Sequence, residues 1–207
     1  MPRVGKMRAS LLCLLSGLAV APRVSAQETP PSSQTEHARM AEIGNLISFS
    51  GLFNLGRGTV RAVVLASPTC PACAEAAARV LATCSEIESK RLRAYIVFAP
   101  AFSGDTRLAG ALAASKLRMD PRAALFWDPG RVCASAWEPY VHADSSAVGA
   151  AFLYDADAKF GLIPPEPLWM QRHVCVDAPA FQARAFAEST RVHVEALEAK
   201  VREQRRE

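Results

Sequence analysis

Two adjacent stretches decide the fold: VRAVVLA at residues 60–66 and SPTCPAC at residues 67–73. The first is a short, nearly continuous apolar run rich in valine, which is typical of a strand buried on both faces within a parallel sheet. The residues after Cys73, AEAAARVLATCSEIESK, are rich in alanine and predict a helix. The sequence therefore places two cysteines, with two residues between them, at the junction of a strand and a helix.

Strands and helices alternate on both sides of this junction. Apolar runs predict further strands over 92–98, 123–127 and 148–154, the last followed by a tight acidic turn and another strand. Helical patterns cover 35–50, 105–117 with Asp105 near the start as a capping residue, a short segment over 131–140, and about 178–204. This order predicts one three-layer α/β domain over 35–207, with a core at about 60–161. We expect a central mixed sheet of about four to five strands, an extra N-terminal helix and a long C-terminal helix.

The first 26 residues have the three-part layout of a secretory signal peptide. Arg3, Lys6 and Arg8 precede the apolar run LLCLLSGLAVA at 11–21, and the stretch ends in the small residues around Ala26. The apolar run is shorter than the roughly 20 residues that cross a bilayer. We expect cleavage near Ala26, export to the periplasm or the medium, and a flexible leader over 27–34; membrane attachment is expected only if the segment is retained as an anchor.

The formal net charge of +4 comes from this targeting segment. Cleavage removes four of the 24 basic residues and none of the 20 acidic ones, which leaves 20 of each. Nucleic-acid binding depends on clustered basic residues, so the balance excludes that class of partner. Cleavage also removes Cys13, and five cysteines then enter an oxidising compartment, where an odd number leaves at least one without an intrachain partner.

The chemistry of the predicted site depends on Cys70 and Cys73. The first amides of a helix lack intrahelical partners and carry partial positive charge, so a thiolate there is stabilised and becomes a nucleophile near neutral pH. Pro71 suits a first helical position, and one helical turn brings the second sulfur near the first. A purely structural disulfide and half of a zinc site are the alternatives, but no second cysteine pair completes a zinc site.

The segment from Val60 to about Gly161 resembles a thioredoxin-like domain, of the exported thiol–disulfide oxidoreductase type that includes proteins serving cytochrome c maturation. SPTCPAC at 67–73 carries the resemblance, with weaker matches at FWDPG, 126–130, and AFLYDADAK, 151–159. It implies that Cys70 attacks and Cys73 resolves the mixed disulfide. It also implies a redox-active Cys70–Cys73 disulfide, no separate cofactor, and partner proteins that supply thiols or disulfides.

Two differences from the family's sequence pattern favour a second interpretation of the function. The family has a cis-proline just before the strand that corresponds to 149–154, and Gly149 stands there; a buried acid six residues before the first cysteine is replaced by Val64. A thioredoxin-like scaffold with a structural disulfide and no activity is therefore an alternative.

The remaining cysteines and one histidine suggest further possibilities. Cys84 is predicted to be a buried core thiol, and Cys133 and Cys175 are candidates for a disulfide with each other. Copper-delivering relatives of thioredoxin use a cysteine pair and a distant histidine, so Cys70, Cys73 and His173 form an alternative copper site. The pair in those relatives is separated by three residues, which counts against that reading.

Other chemistry-bearing side chains have ordinary structural interpretations. Trp127, Trp137 and Trp169 are predicted to be core or pocket-lining residues. Asp128 follows a central strand and is a candidate for a turn cap or for a proton carrier.

Overall fold

A six-stranded mixed sheet forms the centre of the protein, in a computed structural model that describes residues 40–141, 146–172 and 180–207. The strands lie in the order β1-β4-β3-β2-β5-β6. β1 to β4 are mutually parallel, and β5 and β6 run antiparallel to their neighbours. The strand bounds are β1 Ala41–Glu42, β2 Val60–Ala66, β3 Leu92–Phe98, β4 Ala123–Trp127, β5 Ala150–Tyr154 and β6 Trp169–Arg172.

Five helices surround the sheet. Their bounds are α1 Leu46–Leu55, α2 Pro71–Glu86, α3 Arg107–Ser115, α4 Val132–Trp137 and α5 Ala183–Gln204, with a 3-10 turn at Glu138–Tyr140 after α4. Alternate residues of β2 enter two different cores. Ala62 and Val64 pack with α2 and α5, whereas Val63 and Leu65 pack with the aromatic residues of α1 and α4. This alternation is the period of a strand covered on both faces, and it confirms the predicted three-layer α/β architecture.

The central strands were predicted correctly, since β2, β3 and β4 have the expected bounds. The sheet has six strands and not four to five because the short β1 adds an edge strand beside β4. β1 is only two residues long and exists through its pairing with β4, where Ala41 lies opposite Phe126. A strand this short has no periodicity of its own, so no sequence pattern predicted it.

The N-terminal helix was predicted over the wrong residues. Residues 41–42 are strand, and α1 begins only at Leu46, after Asn45 accepts a hydrogen bond from the backbone N–H of Ser48 at 2.9 Å. The buried positions of α1 are Phe49 and Phe53. Ile47, an apolar residue of the helical pattern predicted over 35–50, is 83% exposed. The helix continues through Gly51 and ends at Gly56, so the pattern was displaced by about two turns.

The segment after β5 also differs from the prediction. The second strand of the hairpin does not follow the acidic turn directly; it is β6, and residues 155–168 connect the two. The C-terminal helix begins at Ala183, five residues after the predicted start, and Phe186 and Val194 pack in the same core as α2. α3 begins after Thr106, whose side chain accepts the N–H of Ala109, so Thr106 and not Asp105 caps it.

Several predictions fall on residues outside those described: the signal peptide at 1–26, the leader at 27–34, and the residues His173 and Cys175. Within the described ranges, no helix has the length and apolar character needed to cross a bilayer.

Candidate active site

Cys70 stands at the start of α2, where the carboxyl end of β2 turns into the helix. Its backbone is extended, its sulfur accepts a hydrogen bond from the N–H of Cys73 at 3.3 Å, and its carbonyl accepts the N–H of Ala74 at 3.1 Å. Pro71 occupies the first helical turn, where its missing N–H leaves no bond unmade. Cys70 is thus the N-cap of α2, with its sulfur among the helix amides that lack intrahelical partners.

The two sulfurs are in different oxidation states. Cys70 is disulfide-bonded, whereas Cys73 is a free thiol, so the predicted Cys70–Cys73 bond is not formed in this structure. Cys84 and Cys133 are also free thiols.

Both cysteines are buried. Cys70 is 2% exposed and Cys73 is 1% exposed, so neither sulfur is accessible to solvent in this state of the protein. Burial raises the pKa of the Cys73 thiol to about 11, a shift that a backbone hydrogen bond with Ser67 opposes and the nearby Asp105 carboxylate reinforces. Cys73 is consequently a protonated thiol at neutral pH in this arrangement.

Asp105 braces the loop that carries Cys70. Its Oδ1 accepts hydrogen bonds from the hydroxyl of Ser67 at 3.0 Å and from the hydroxyl and N–H of Thr69 at 2.6 and 3.3 Å. Its Oδ2 accepts the N–H groups of Ala101 and Phe102 at 2.7 and 2.9 Å. One carboxylate therefore ties the loop after β2 to the loop after β3.

Asp105 is the site residue whose role the sequence reasoning missed. A signal existed, because β2 and β3 were both predicted as parallel strands and the carboxyl ends of parallel neighbours meet at one edge of a sheet. Asp105 follows β3 at the same edge of the sheet at which Cys70 follows β2. This shared edge, and not the position of Asp105 near the start of α3, determines its role.

Gly149 occupies the position before β5 where a cis-proline was expected. Its N–H donates to the carbonyl of Leu65 at 2.7 Å, which places it beside the carboxyl end of β2. Its φ is +91°, a left-handed value that glycine adopts without strain, and the described residues contain no cis peptide bond. Val148 beside it packs against Ala99 and Ala134. The glycine at the position of the expected cis-proline thus has a trans peptide bond and a left-handed backbone conformation.

The other candidate residues divide into confirmed and corrected predictions. Cys84 is a fully buried thiol, as predicted, and Trp127 and Trp137 lie in the core. The proposed Cys133–Cys175 disulfide is wrong, because Cys133 is a buried free thiol at the first turn of α4.

Asp128 acts as a cap for α4. Its carboxylate accepts the N–H groups of Val132, Cys133 and Ala134 at 2.8, 2.8 and 3.3 Å, and the residue is fully buried. Burial raises the pKa of Asp128, although these three N–H groups and the charge of Arg131 oppose the shift. The capping interpretation is therefore the one that the contacts fit.

The copper interpretation depends on His173, which lies outside the described residues. Across 40–141, 146–172 and 180–207, no three His, Cys, Asp or Glu side chains form a group that could hold a metal ion.

Comparison with known proteins gives structural neighbours only. No family model matches the chain, and no curated protein matches it. A putative DsbE thiol:disulfide interchange protein from Chlorobium tepidum superposes with a TM-score of 0.46 at 15% identity, covering 69% of this chain and 84% of that one. A secreted Mycobacterium tuberculosis disulfide oxidoreductase homologous to E. coli DsbE gives 0.41 at 12% identity, over 67% and 85%. A yeast mitochondrial 1-Cys peroxiredoxin gives 0.46 at 11% identity, over 74% and 70%. These are distant neighbours, and their activities are not transferred to this chain.

Proposed function

We propose that this protein is an exported thiol–disulfide oxidoreductase that exchanges disulfides with partner proteins through Cys70 and Cys73. One observation carries the proposal: a disulfide-bonded sulfur caps α2, and a free thiol stands three residues further along the same helix. A disulfide with a thiol within one helical turn is the pair of groups that exchange requires. The reaction needs no cofactor beyond these sulfurs.

The position of Cys70 supports its role as the sulfur that attacks and is attacked. In the reduced protein, its thiolate is stabilised by the partial positive charge at the start of α2 and by the N–H of Cys73. That thiolate attacks one sulfur of a partner disulfide and forms a mixed disulfide on Cys70, while the partner's S–S bond breaks and its other sulfur leaves as a thiolate. The Cys73 thiolate then attacks Cys70, which closes the Cys70–Cys73 bond and releases the partner as a thiolate.

The burial of Cys70 restricts when exchange takes place. A sulfur that is 2% exposed is not within reach of a partner protein in this state. Thr69 and Pro71 on either side of it are exposed, so the backbone of the cap lies at the surface while the sulfur faces inward. Exchange therefore requires a rearrangement that exposes the Cys70 sulfur to a partner protein.

The signal-peptide pattern at 1–26 supports an oxidising compartment as the place of action. Disulfides form and persist there, and a chain with a bonded Cys70 suits that compartment. The direction of exchange depends on the reduction potential, which the surroundings of the two sulfurs adjust.

The test is to trap the mixed disulfide on Cys70. The Cys73→Ser variant is reduced, freed of reductant and mixed with oxidised glutathione, and peptide mass spectrometry locates the adduct. We expect a stable adduct on Cys70 in Cys73→Ser and a transient one in the parent protein. Cys84→Ser is the matched control, since Cys84 is a buried thiol on the same helix and its loss leaves resolution intact.

A non-catalytic scaffold is the second candidate. The burial of Cys70 and the glycine in place of the cis-proline favour it. It predicts no adduct on Cys70 in the folded Cys73→Ser variant, and a reduction potential of the Cys70 disulfide below about −300 mV. Either result would count against exchange as the function.

Copper delivery through Cys70, Cys73 and His173 is the remaining alternative. It predicts stoichiometric Cu(I) binding by the reduced protein that is lost in His173→Ala. The absence of such binding would exclude it.

A further inference from the structure

The side of α1 that faces away from the sheet is exposed although it is largely apolar. Phe49 and Phe53 pack into the core, and Ile47 and Leu55 on the other side are 83% and 81% exposed. A helix that is apolar on both sides is normally buried on both sides. The exposed residues of α1 form one stripe, the α1 outer face, which consists of Ile47, Ser48, Gly51, Leu52 and Leu55.

The α1 outer face also lacks charge. The whole helix, LISFSGLFNL, contains no acidic and no basic residue. Exposed apolar surface without charge is typical of the centre of a protein interface. A partner with a charged contact surface would find no counter-charge on this helix, whereas a second copy of α1 brings an equally uncharged surface. Two such helices that pack antiparallel also align their dipoles favourably.

Gly51 lies at the centre of the α1 outer face. A glycine inside a helix destabilises the helix relative to alanine, so its presence there calls for a reason. In the part of the chain that the structure describes, a Cβ at Gly51 would meet no atom within 4 Å, and packing within the protein therefore does not require a glycine. A glycine does allow the backbone of another chain to come close to the helix.

We propose that the protein forms a homodimer in which the α1 outer faces of two copies pack antiparallel about a two-fold axis at Gly51. In a two-fold interface one surface meets itself, so that residue i contacts residue j and residue j contacts residue i. Ile47 lies four residues before Gly51 and Leu55 lies four residues after it. Each of these two side chains therefore meets the other one of the second copy, and the two glycines face each other at the axis.

A neighbouring loop enlarges the apolar surface. The Asn54 side chain bonds both backbone groups of Phe160, since its Nδ2 donates to the carbonyl and its Oδ1 accepts the N–H, each at 2.9 Å. Leu162 and Ile163, which follow Phe160, are 95% and 67% exposed. α1 is only about 15 Å long, and a stable interface buries about 800 Å² of each partner, so we expect the dimer to cover these two side chains as well.

Sedimentation equilibrium of the exported and processed protein, over a series of micromolar concentrations, tests the dimer. We expect an equilibrium of monomer and dimer. Leu52→Arg places two unpaired charges in each interface and is expected to raise the dissociation constant about tenfold or more. Leu112→Arg is the matched control, because Leu112 is a similarly exposed leucine on α3, which packs on the other face of the sheet. Non-reducing electrophoresis identifies dimers that are linked through the native cysteines.

Gly51→Ala separates the interface from the fold. Alanine favours a helix over glycine and the added methyl group has room within the monomer, so the variant should resist urea at least as well as the parent protein. In the dimer the two methyl groups oppose each other at the axis, and we expect the dissociation constant to rise several-fold. An effect on the dimer without a loss of monomer stability is one that a purely structural role of Gly51 would not produce.

Gly51→Cys tests the position of the axis. The introduced thiols of the two copies face each other, so oxidation with diamide is expected to yield a disulfide between two peptides that contain position 51, identified by mass spectrometry. Gly44→Cys is the matched control. Gly44 is also exposed and a Cβ there would meet no atom within 4 Å, but it precedes α1 and lies off its outer face.

Three results would overturn the proposal. A processed protein that sediments as a monomer at every concentration would favour another occupant of the α1 outer face, such as the chain before residue 40 or a different protein. A dimer that tolerates Leu52→Arg as well as Leu112→Arg would be held by a different surface. A dimer that gives no link at position 51 would exclude the antiparallel arrangement. None of these results involves Cys70 or Cys73, so the dimer and the exchange function stand or fail separately.

Discussion

The two ends of β2 hold polar groups in opposite ways. At the amino end, Arg61 is fully buried, and its guanidinium donates to the carbonyls of Phe53, Asp155, Ala156 and Ala158 and lies 4.2 Å from the centre of the Phe53 ring.

At the carboxyl end, a bonded sulfur and a free thiol lie within one helical turn of each other. The guanidinium is surrounded by backbone carbonyls that accept its N–H groups, whereas the thiol of Cys73 lies beside a sulfur that is already bonded. The same strand thus joins an end held by hydrogen bonds to an end at which the proposed exchange chemistry takes place.

The largest expected effect comes from removing the buried cation. Arg61→Met leaves several buried carbonyls without a donor, and we expect the free energy of unfolding to fall by about 3 kcal/mol or more, measured by urea denaturation. The reduction potential of the Cys70 disulfide should stay unchanged, because the substitution lies at the opposite end of the strand.

Arg93→Met is the control for this substitution. Arg93 lies opposite Arg61 on the neighbouring strand β3, but it is exposed. If Arg61→Met costs no more stability than Arg93→Met, the amino end is not held by the buried cation.

The contrast between the two ends also explains what the sequence could predict. β2, β3 and β4 were predictable because a buried strand carries its own apolar run, and the start of α2 followed from Pro71 and the alanines after it. β1 depends on β4, which is distant in sequence, so its two residues carried no signal; β6 was expected directly after the acidic turn, but residues 155–168 separate it from β5. The position of α1 was wrong because the pair Phe49 and Phe53 outweighed the weaker apolar spacing before it.

The position of the two cysteines in the fold was predictable from the sequence, but their oxidation states were not. The spacing of Cys70 and Cys73 predicted a helix start and two nearby sulfurs. The hydrogen bonds of Asp105 to Ser67 and Thr69 depend on how two loops meet across the sheet edge. No local sequence pattern indicates that Cys70 is disulfide-bonded while Cys73 is a free thiol.

The next largest expected effect is a loss of stability on substitution of Gly149, which lies beside the carboxyl end of β2. Gly149→Pro would force φ to about −65° and remove the N–H that bonds Leu65, so we expect it to lower the free energy of unfolding by about 2 kcal/mol or more. Gly149→Ala should cost about 1 kcal/mol through the positive φ alone. Proline at this position is therefore expected to destabilise the fold and not to restore the family's geometry.

Gly161→Ala is the matched control, since a Cβ at Gly161 meets no atom within 4 Å. Urea denaturation of the three variants measures the differences. A Gly149→Pro variant as stable as the parent protein would show that neither the positive φ nor the N–H bond to Leu65 holds this loop in place.

The smallest expected effect is on the pH dependence of the free energy of unfolding. This dependence has opposite signs for two carboxylates, Asp105 and Asp128. Burial tends to raise the pKa of Asp105, but hydrogen bonds from Thr69, Ala101, Phe102 and Ser67 outweigh it and the pKa is lowered. Its ionised form therefore stabilises the fold above the unfolded pKa of about 3.9, and this contribution is lost as the pH falls through the folded pKa. Asp105→Asn should reduce stability by about 1 kcal/mol at neutral pH, with the difference from the parent shrinking in acid.

Asp128 is expected to show the reverse. Burial raises its pKa, so the folded protein binds the proton more tightly, and its contribution to stability falls as the pH rises from about 3.9 through the raised value. Asp128→Asn removes this dependence, so the stability of the variant relative to the parent should increase across that interval. Urea denaturation at intervals from pH 3 to pH 8 measures both variants. Parallel pH profiles for Asp105→Asn and Asp128→Asn would contradict the opposite pKa shifts of the two carboxylates, lowered at Asp105 and raised at Asp128.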